Sequence, residues 1–169
     1  MKKVFLFAVF SCLSFYHLFA QEIATIDGIK YYLQNEEATI MVQDVSLSGK
    51  IIIPEYVSKD GTNYKVINVS NGAFQDTRIT EIILPNSITS LGDYCFNNCS
   101  NLASITLPNS ITSLGNYCFS DCSNLASITM PNSITMLGEG CFNECLNLSS
   151  ITLPNGITSL GSDCFRDCN

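Results

Sequence analysis

Nine cysteines stand in this 169-residue chain, and eight of them form four pairs spaced four apart. The pairs are Cys95 and Cys99, Cys118 and Cys122, Cys141 and Cys145, Cys164 and Cys168, and in each the first thiol precedes a phenylalanine: Phe96, Phe119, Phe142 or Phe165. Thiols that recur so regularly could bind metal, exchange electrons, bridge, or pack. Structural zinc wants two thiol pairs turned toward one point. Here the pairs are strung along a repeat, each beside a Phe. A redox dithiol wants the shorter C-x-x-C spacing and an electropositive setting, and this chain offers neither. Bridging between neighbouring copies is a real competitor, because an exported chain meets oxidising conditions and strand spacing lies within disulfide reach. Cysteine also packs as a small hydrophobe. The flanking Phe and Leu favour a buried ladder of free thiols, with bridging the competing outcome. No metal and no cofactor are expected.

The remaining polar side chains exclude more than they offer. The only histidine, His17, lies in an N-terminal leader, so the mature chain lacks the commonest general base and metal ligand. No G-x-S-x-G elbow is present, and an enzyme is not expected. Fifteen acidic residues against eight basic ones leave no electrostatic footprint for nucleic acid or anionic lipid. Asn98, Asp121, Glu144 and Asp167 recur as a mostly acidic column, but without the dense Asp/Gly loops of calcium cages they read as solvated surface. Ser104, Thr106, Ser127, Thr129, Ser150 and Thr152 are the candidate binding residues: they fall on the outward side of predicted strands, where repeat proteins usually meet partners. The plainer account is that they are only solvated, since no aromatic or charged anchor interrupts them.

The elements that position these residues follow from self-similarity. Phe74, Phe96, Phe119, Phe142 and Phe165 are spaced by 22, 23, 23 and 23 residues, and residues 88–110 match 111–133 at all but four positions. Within a unit, Leu102 to Leu107 alternates apolar and polar as a half-buried strand does, and Pro108-Asn109 ends it. Ile111 and Leu114 re-enter the core and Gly115 permits a bend. Cys118, Phe119, Cys122 and Leu125 then share one side of a predicted short helical return. One coil cannot offset its own ordering entropy, so stability must come from stacking.

The fold class expected is therefore an α/β repeat solenoid of coils of about 23 residues, each with one strand and one short helical return. Residues 1–20 read as a signal peptide cut after Ala20, with a basic start and an apolar stretch too short for a comfortable membrane span. Residues 21–63 read as a β-rich N-terminal cap, with alternation at Ile29, Tyr31 and Leu33, then at Ala38, Ile40 and Val42. Residues 64–169 are the array, whose last copy stops at Asn169 part-way through a unit.

Repeats of the form "ITSLGNYCFSDCSNLASITMPNS", with the opening "IDGIKYYLQNEEATIMV", resemble the BspA-type leucine-rich repeats of bacterial cell-surface proteins. The resemblance covers essentially all of the mature chain. It implies a solenoid with a sheet along one face, secreted or held at the cell surface, whose relatives adhere to host matrix components or other cells. It implies protein ligands, no nucleic acid and no membrane insertion after leader cleavage. The chain departs from that pattern at Cys95, Cys118, Cys141 and Cys164, where the family usually has Ala.

Overall fold

The computed structural model describes residues 21–41 and 44–168. Residues 1–20, Val42, Gln43 and Asn169, and with them the expected signal peptide, lie outside the described residues. Twelve strands are assigned: β1 (Glu22–Ile26), β2 (Ile29–Gln34), β3 (Glu37–Ile40), β4 (Ser48–Ile52), β5 (Tyr56–Lys59), β6 (Thr62–Val69), β7 (Arg78–Ile83), β8 (Ser90–Leu91), β9 (Ser104–Thr106), β10 (Ser113–Leu114), β11 (Met136–Leu137) and β12 (Ser159–Leu160).

Each coil contributes to two parallel ladders rather than one. The larger sheet runs β1-β2-β3-β6-β8-β10-β11-β12, with β5 also paired to β6. Its array part is built from two-residue strands: Leu91 pairs with Val69 and Leu114, and Leu137 pairs with Leu114 and Leu160. The second sheet, β4-β7-β9, aligns Ile51, Ile82 and Ile105, and single bridges carry it on from Thr106 to Thr129 and Thr152. Pro108 and its counterparts close the short corner between the two ladders, as a residue without an N–H should.

The helical return expected in each coil is not there; among the described residues no helix occurs. The return is instead a chain of tight turns. Cys99 N–H donates to Phe96 O, and Leu102 N–H donates to Cys99 O. Two residues per return sit in the left-handed region, Tyr94 and Asn98 in one coil (φ 57° and 55°), Tyr117 and Asp121 in the next (φ 52° and 60°). A left-handed residue every four positions forbids a right-handed helix. It also frees alternate N–H groups for the next coil: Tyr94, Phe96 and Asn98 donate to the carbonyls of Asn116, Cys118 and Ser120. The turns thus form a third hydrogen-bonded wall. The offsets of Cys118, Phe119, Cys122 and Leu125 still place all four in the core.

That wall is packed to its limit. Phe74, Phe96, Phe119, Phe142 and Phe165 stack in one file, centroids 5.2, 5.2, 5.4 and 5.6 Å apart and rings within 7° of parallel. Gly115 lies where the coils approach most closely: a Cβ there would stand 2.6 Å from Asp93 N and Gly92 C. Gly92, Gly138 and Gly161 repeat the constraint.

Ahead of the array, three hairpins turn on residue pairs with positive φ, Asp27-Gly28, Asn35-Glu36 and Asp60-Gly61, as tight two-residue hairpin turns require. They join β1 to β2, β2 to β3, and β5 to β6. β3 pairs parallel with β6, and β4 pairs parallel with β7, so both ladders start among these strands. One buried cluster extends from Ala24 to Cys164.

Candidate functional site

The β9 side of the coils carries the six hydroxyl residues singled out by sequence. Ser104, Thr106, Ser127, Thr129, Ser150 and Thr152 are all exposed, while Ile105 and Ile128 between them are buried and Ile151 is half-buried. The strand period of two puts both columns on the same outer face. Thr106, Thr129 and Thr152 are neighbours in the ladder, so the Thr column has the spacing of a sheet, about 4.8 Å per rung. Two shallow troughs of about 540 and 300 Å³ lie along this face. Thr106, Thr129, Pro108 and Asn109 line the larger, and Ser127, Ser150, Thr152 and Pro154 line the smaller.

These hydroxyls differ from the other Ser and Thr of the same coils. Ser87, Ser110 and Ser133 donate to the carbonyls of Val66, Ile88 and Ile111 in the preceding coil. Thr112, Thr135 and Thr158 donate to Thr89, Thr112 and Thr135 carbonyls at 3.3, 3.3 and 3.0 Å. From Ser104 to Thr152 the rungs of the β9 face are joined through the backbone, and the six hydroxyl side chains remain turned to water. Toward the N-terminus the same columns change chemistry: Lys50 and Glu81, paired at 2.9 Å, precede Ser104, and Ile52 and Ile83 precede Thr106.

The cysteines sit on the opposite, inner side of the turn wall. Cys95, Cys99, Cys118, Cys122, Cys141, Cys145 and Cys164 are buried and Cys168 is half-buried, all as free thiols. The second thiol of each pair donates to a Phe carbonyl one coil back: Cys99 to Phe74 at 3.0 Å, Cys122 to Phe96 at 3.2 Å, Cys145 to Phe119 and Cys168 to Phe142 at 3.1 Å. Burial pushes the Cys99 thiol up to about 11 and Cys145 up to about 12. Burial likewise raises Cys118, Cys122 and Cys141 well above the ordinary thiol range, whereas Cys164, hydrogen-bonded to Cys141, is held lower. The thiolate is both the nucleophile and the metal ligand, and burial here works against it. Among the described residues no three His, Cys, Asp or Glu side chains are grouped to hold a metal ion.

Sequence reasoning missed one further cluster, on the outside of the turn wall. Tyr94 and Tyr117 stack with centroids 5.3 Å apart and planes 7° apart. Next to Tyr94, a recess of about 360 Å³ is lined by Val45, Asn71, Gly72, Gln75 and Asp76. The signal was a broken column: read coil by coil, this position is Gly72, Tyr94, Tyr117, Gly140 and Asp163.

Comparison with known proteins places this architecture. No curated protein matches the chain. Among solved structures, a leucine-rich repeat protein of Treponema pallidum is 26% identical, with a TM-score of 0.71 over 88% of this chain and 64% of that one. One from Bacteroides ovatus is 28% identical, with a TM-score of 0.75 over 84% of this chain and 38% of the other. A leucine-rich cell surface protein of Faecalibacterium prausnitzii shares the fold at 22% identity, with a TM-score of 0.67 over 88% of this chain and 47% of that one. The chain thus spans less than two thirds of these relatives' own length. The profile of the BspA type leucine rich repeat region matches residues 62–169 in six copies. With two ladders, a turn wall and a Phe file running along its coils, the chain belongs to the BspA-type leucine-rich repeat family.

Proposed function

We propose that this chain is an exported, surface-exposed recognition module without enzymatic activity, binding protein partners through the β9 face. Residues 1–20 direct export, and the hairpins of residues 21–63 cap the array. The observation that carries the reading is the division of hydroxyls. Ser110 and Thr112 and their equivalents are spent holding coils together, whereas Ser104, Thr106 and their equivalents stand in two exposed columns above a continuous ladder. A flat, regularly spaced array of donors and acceptors suits an extended partner that presents repeating polar groups. The Faecalibacterium prausnitzii protein of the same fold is described as a cell surface protein, which agrees with this setting. Matrix proteins and host cells are the partners to try first.

The test is retention of the purified full chain on immobilised matrix proteins and on cultured cells, against a variant carrying Thr106→Lys and Thr129→Lys. The expected result is retention above background that falls at least about tenfold in the variant, since two long charged chains would cover both troughs. Retention equal in the two proteins would overturn the assignment of the face. A second reading, a passive spacer, draws support from the near-identity of residues 88–110 and 111–133. It predicts no retention by either protein.

A further inference from the structure

We infer that the recess beside Tyr94 is a glycan-binding site, taking one neutral pyranose of a carbohydrate chain against the open face of the Tyr94 ring. This site is separate from the β9 face and does not depend on its proposed role.

The recess exists because the tyrosine column is interrupted. Tyr94 and Tyr117 stack on one another, and Tyr117 is held by its hydroxyl, which donates to Glu139 Oε1 at 2.8 Å. Gly140 makes room for that ring: a Cβ there would meet Tyr117 Cε1 at 2.4 Å. One face of Tyr94 is therefore covered by Tyr117. The other looks toward the preceding coil, where the column position is Gly72 and no ring follows. Tyr94 keeps 43% of its surface exposed and lines the recess with Asn71, Gly72, Gln75 and Asp76. Its volume of about 360 Å³ is at the lower end for small-molecule sites.

The wall chemistry selects the ligand class. A pyranose has a face of C–H groups that packs on an aromatic ring, where the negative quadrupole meets slightly positive hydrogens. Its rim of hydroxyls needs partners that both donate and accept, which amides and carboxylates supply. Asn71 Oδ1 accepts from Asp93 N–H at 3.0 Å, which fixes the side chain and leaves its NH₂ to donate. Asp76 Oδ1 accepts from Asn98 Nδ2 at 2.7 Å, which leaves Oδ2 for a hydroxyl. Gln75 leans over Gly72, its Oε1 3.2 Å from where a Cβ would stand. Val45, 59% exposed, adds an apolar edge. A lysine or arginine side chain is the rival occupant, drawn by Tyr94 and Asp76. Two amides beside a single carboxylate, one of whose oxygens is already occupied by Asn98, fit a neutral polyol better than a cation.

Saturation-transfer NMR on the full chain tests this, with methyl β-D-glucopyranoside, methyl β-D-galactopyranoside and N-acetyl-D-glucosamine as sugar probes and N-acetyl-lysine amide as the cationic one. The double variant Tyr94→Gly/Tyr117→Gly removes both rings. Gly72 and Gly140 already occupy this column with φ of 63° and 54°, so the backbone tolerates it. The expected result is transfer to the ring protons of at least one sugar, reduced about tenfold or more in the double variant. Asp76→Asn keeps the left-handed backbone and removes the charge, so a cation held there by the carboxylate would lose its transfer. Absence of transfer to all three sugars, or a sugar signal that survives loss of both rings, would overturn the proposal. So would transfer confined to the lysine probe and abolished by Asp76→Asn.

Discussion

The turn wall and the β9 face are built from the same coils, yet they obey different constraints. Down the turn wall the Phe position never varies, because every ring is half of its neighbour's surroundings and the rings must stay nearly parallel. Down the β9 face one column runs Lys50, Glu81, Ser104, and its neighbour runs Ile52, Ile83, Thr106. The ladder beneath asks only for backbone groups, so the outer side chains are free to change from charged or apolar to hydroxyl. Uniformity in the wall is a packing requirement; uniformity of Ser and Thr on the face is not forced by the fold. That contrast makes the face, rather than the buried Phe file, the place to look for protein partners.

The sharpest way to break the contrast is alkali, which acts on the wall and not on the face. A thiol whose folded pKa lies above its unfolded value keeps its proton where the unfolded chain has lost it. Stability is then fully present below the unfolded value of 9.0 and falls as pH rises toward about 11 for Cys99 and about 12 for Cys145. A two-unit shift amounts to roughly 3 kcal/mol, so a few such thiols rival the roughly 5–15 kcal/mol that holds a typical domain together. Urea midpoints measured with reductant present should therefore drop steeply between pH 9 and 11. Tyr31, raised by burial from 10.0 to about 12, extends the loss at the upper end. Replacing Cys99, Cys122 and Cys145 by Thr, which the first copy carries as Thr77 bonded to Phe74 O at 2.7 Å, should flatten that limb. An unchanged slope would refute the thiol origin.

At neutral pH the largest single effect should come from Phe119→Ala. Its ring lies between Phe96 and Phe142, 5.2 and 5.4 Å away, and is wholly buried. A cavity in a file that backbone hydrogen bonds hold open on both sides cannot collapse well, so a loss of about 3–5 kcal/mol is expected in urea unfolding. Phe165→Ala should lose less, because that ring is only half-buried and, among the described residues, stacks on Phe142 alone. Gly115→Ala comes next. Its Cβ would press on backbone atoms of the coil before, 2.6 Å away, and prising the two coils apart should cost about 1–3 kcal/mol.

Which of these features could be read from sequence follows from how each is encoded. The repeat, the buried Phe and Cys, and the strand at Ser104–Thr106 were legible because spacing and alternation are direct images of stacking and pleat. The return was misread because apolar offsets of one, four and seven fit a helix as well as a file of turns. The distinguishing signal lay in other residues: Gly72 and Gly140 in one column, Asp76, Asn98 and Asp121 in another, types that accept positive φ. Tyr94 and Tyr117 hid it, since tyrosine rarely adopts that conformation. The ladder of the larger sheet escaped because Ser90–Leu91 and its equivalents are two residues long, too short for alternation to show. The Tyr94 recess depends on what is absent at Gly72, and such an absence is visible only when copies are compared position by position.

The smallest effect sharpens the comparison most. Ser110 and Ser104 stand in one coil with the same side chain. Ser110 is half-buried and donates to Ile88 O; Ser104 is exposed on the β9 face. Ser110→Ala removes the donor from a carbonyl at a coil boundary, and a loss of about 1 kcal/mol is expected. Ser104→Ala trades one solvated group for another and should stay within about 0.5 kcal/mol. Parallel urea titrations of the two variants decide the matter. Equal losses would mean that the β9 hydroxyls also serve the fold, and an outer column that holds coils together would have its own structural reason to repeat. Unequal losses leave those hydroxyls with no work inside the solenoid, so that any effect of Ser104→Ala on partner retention is read without interference from stability.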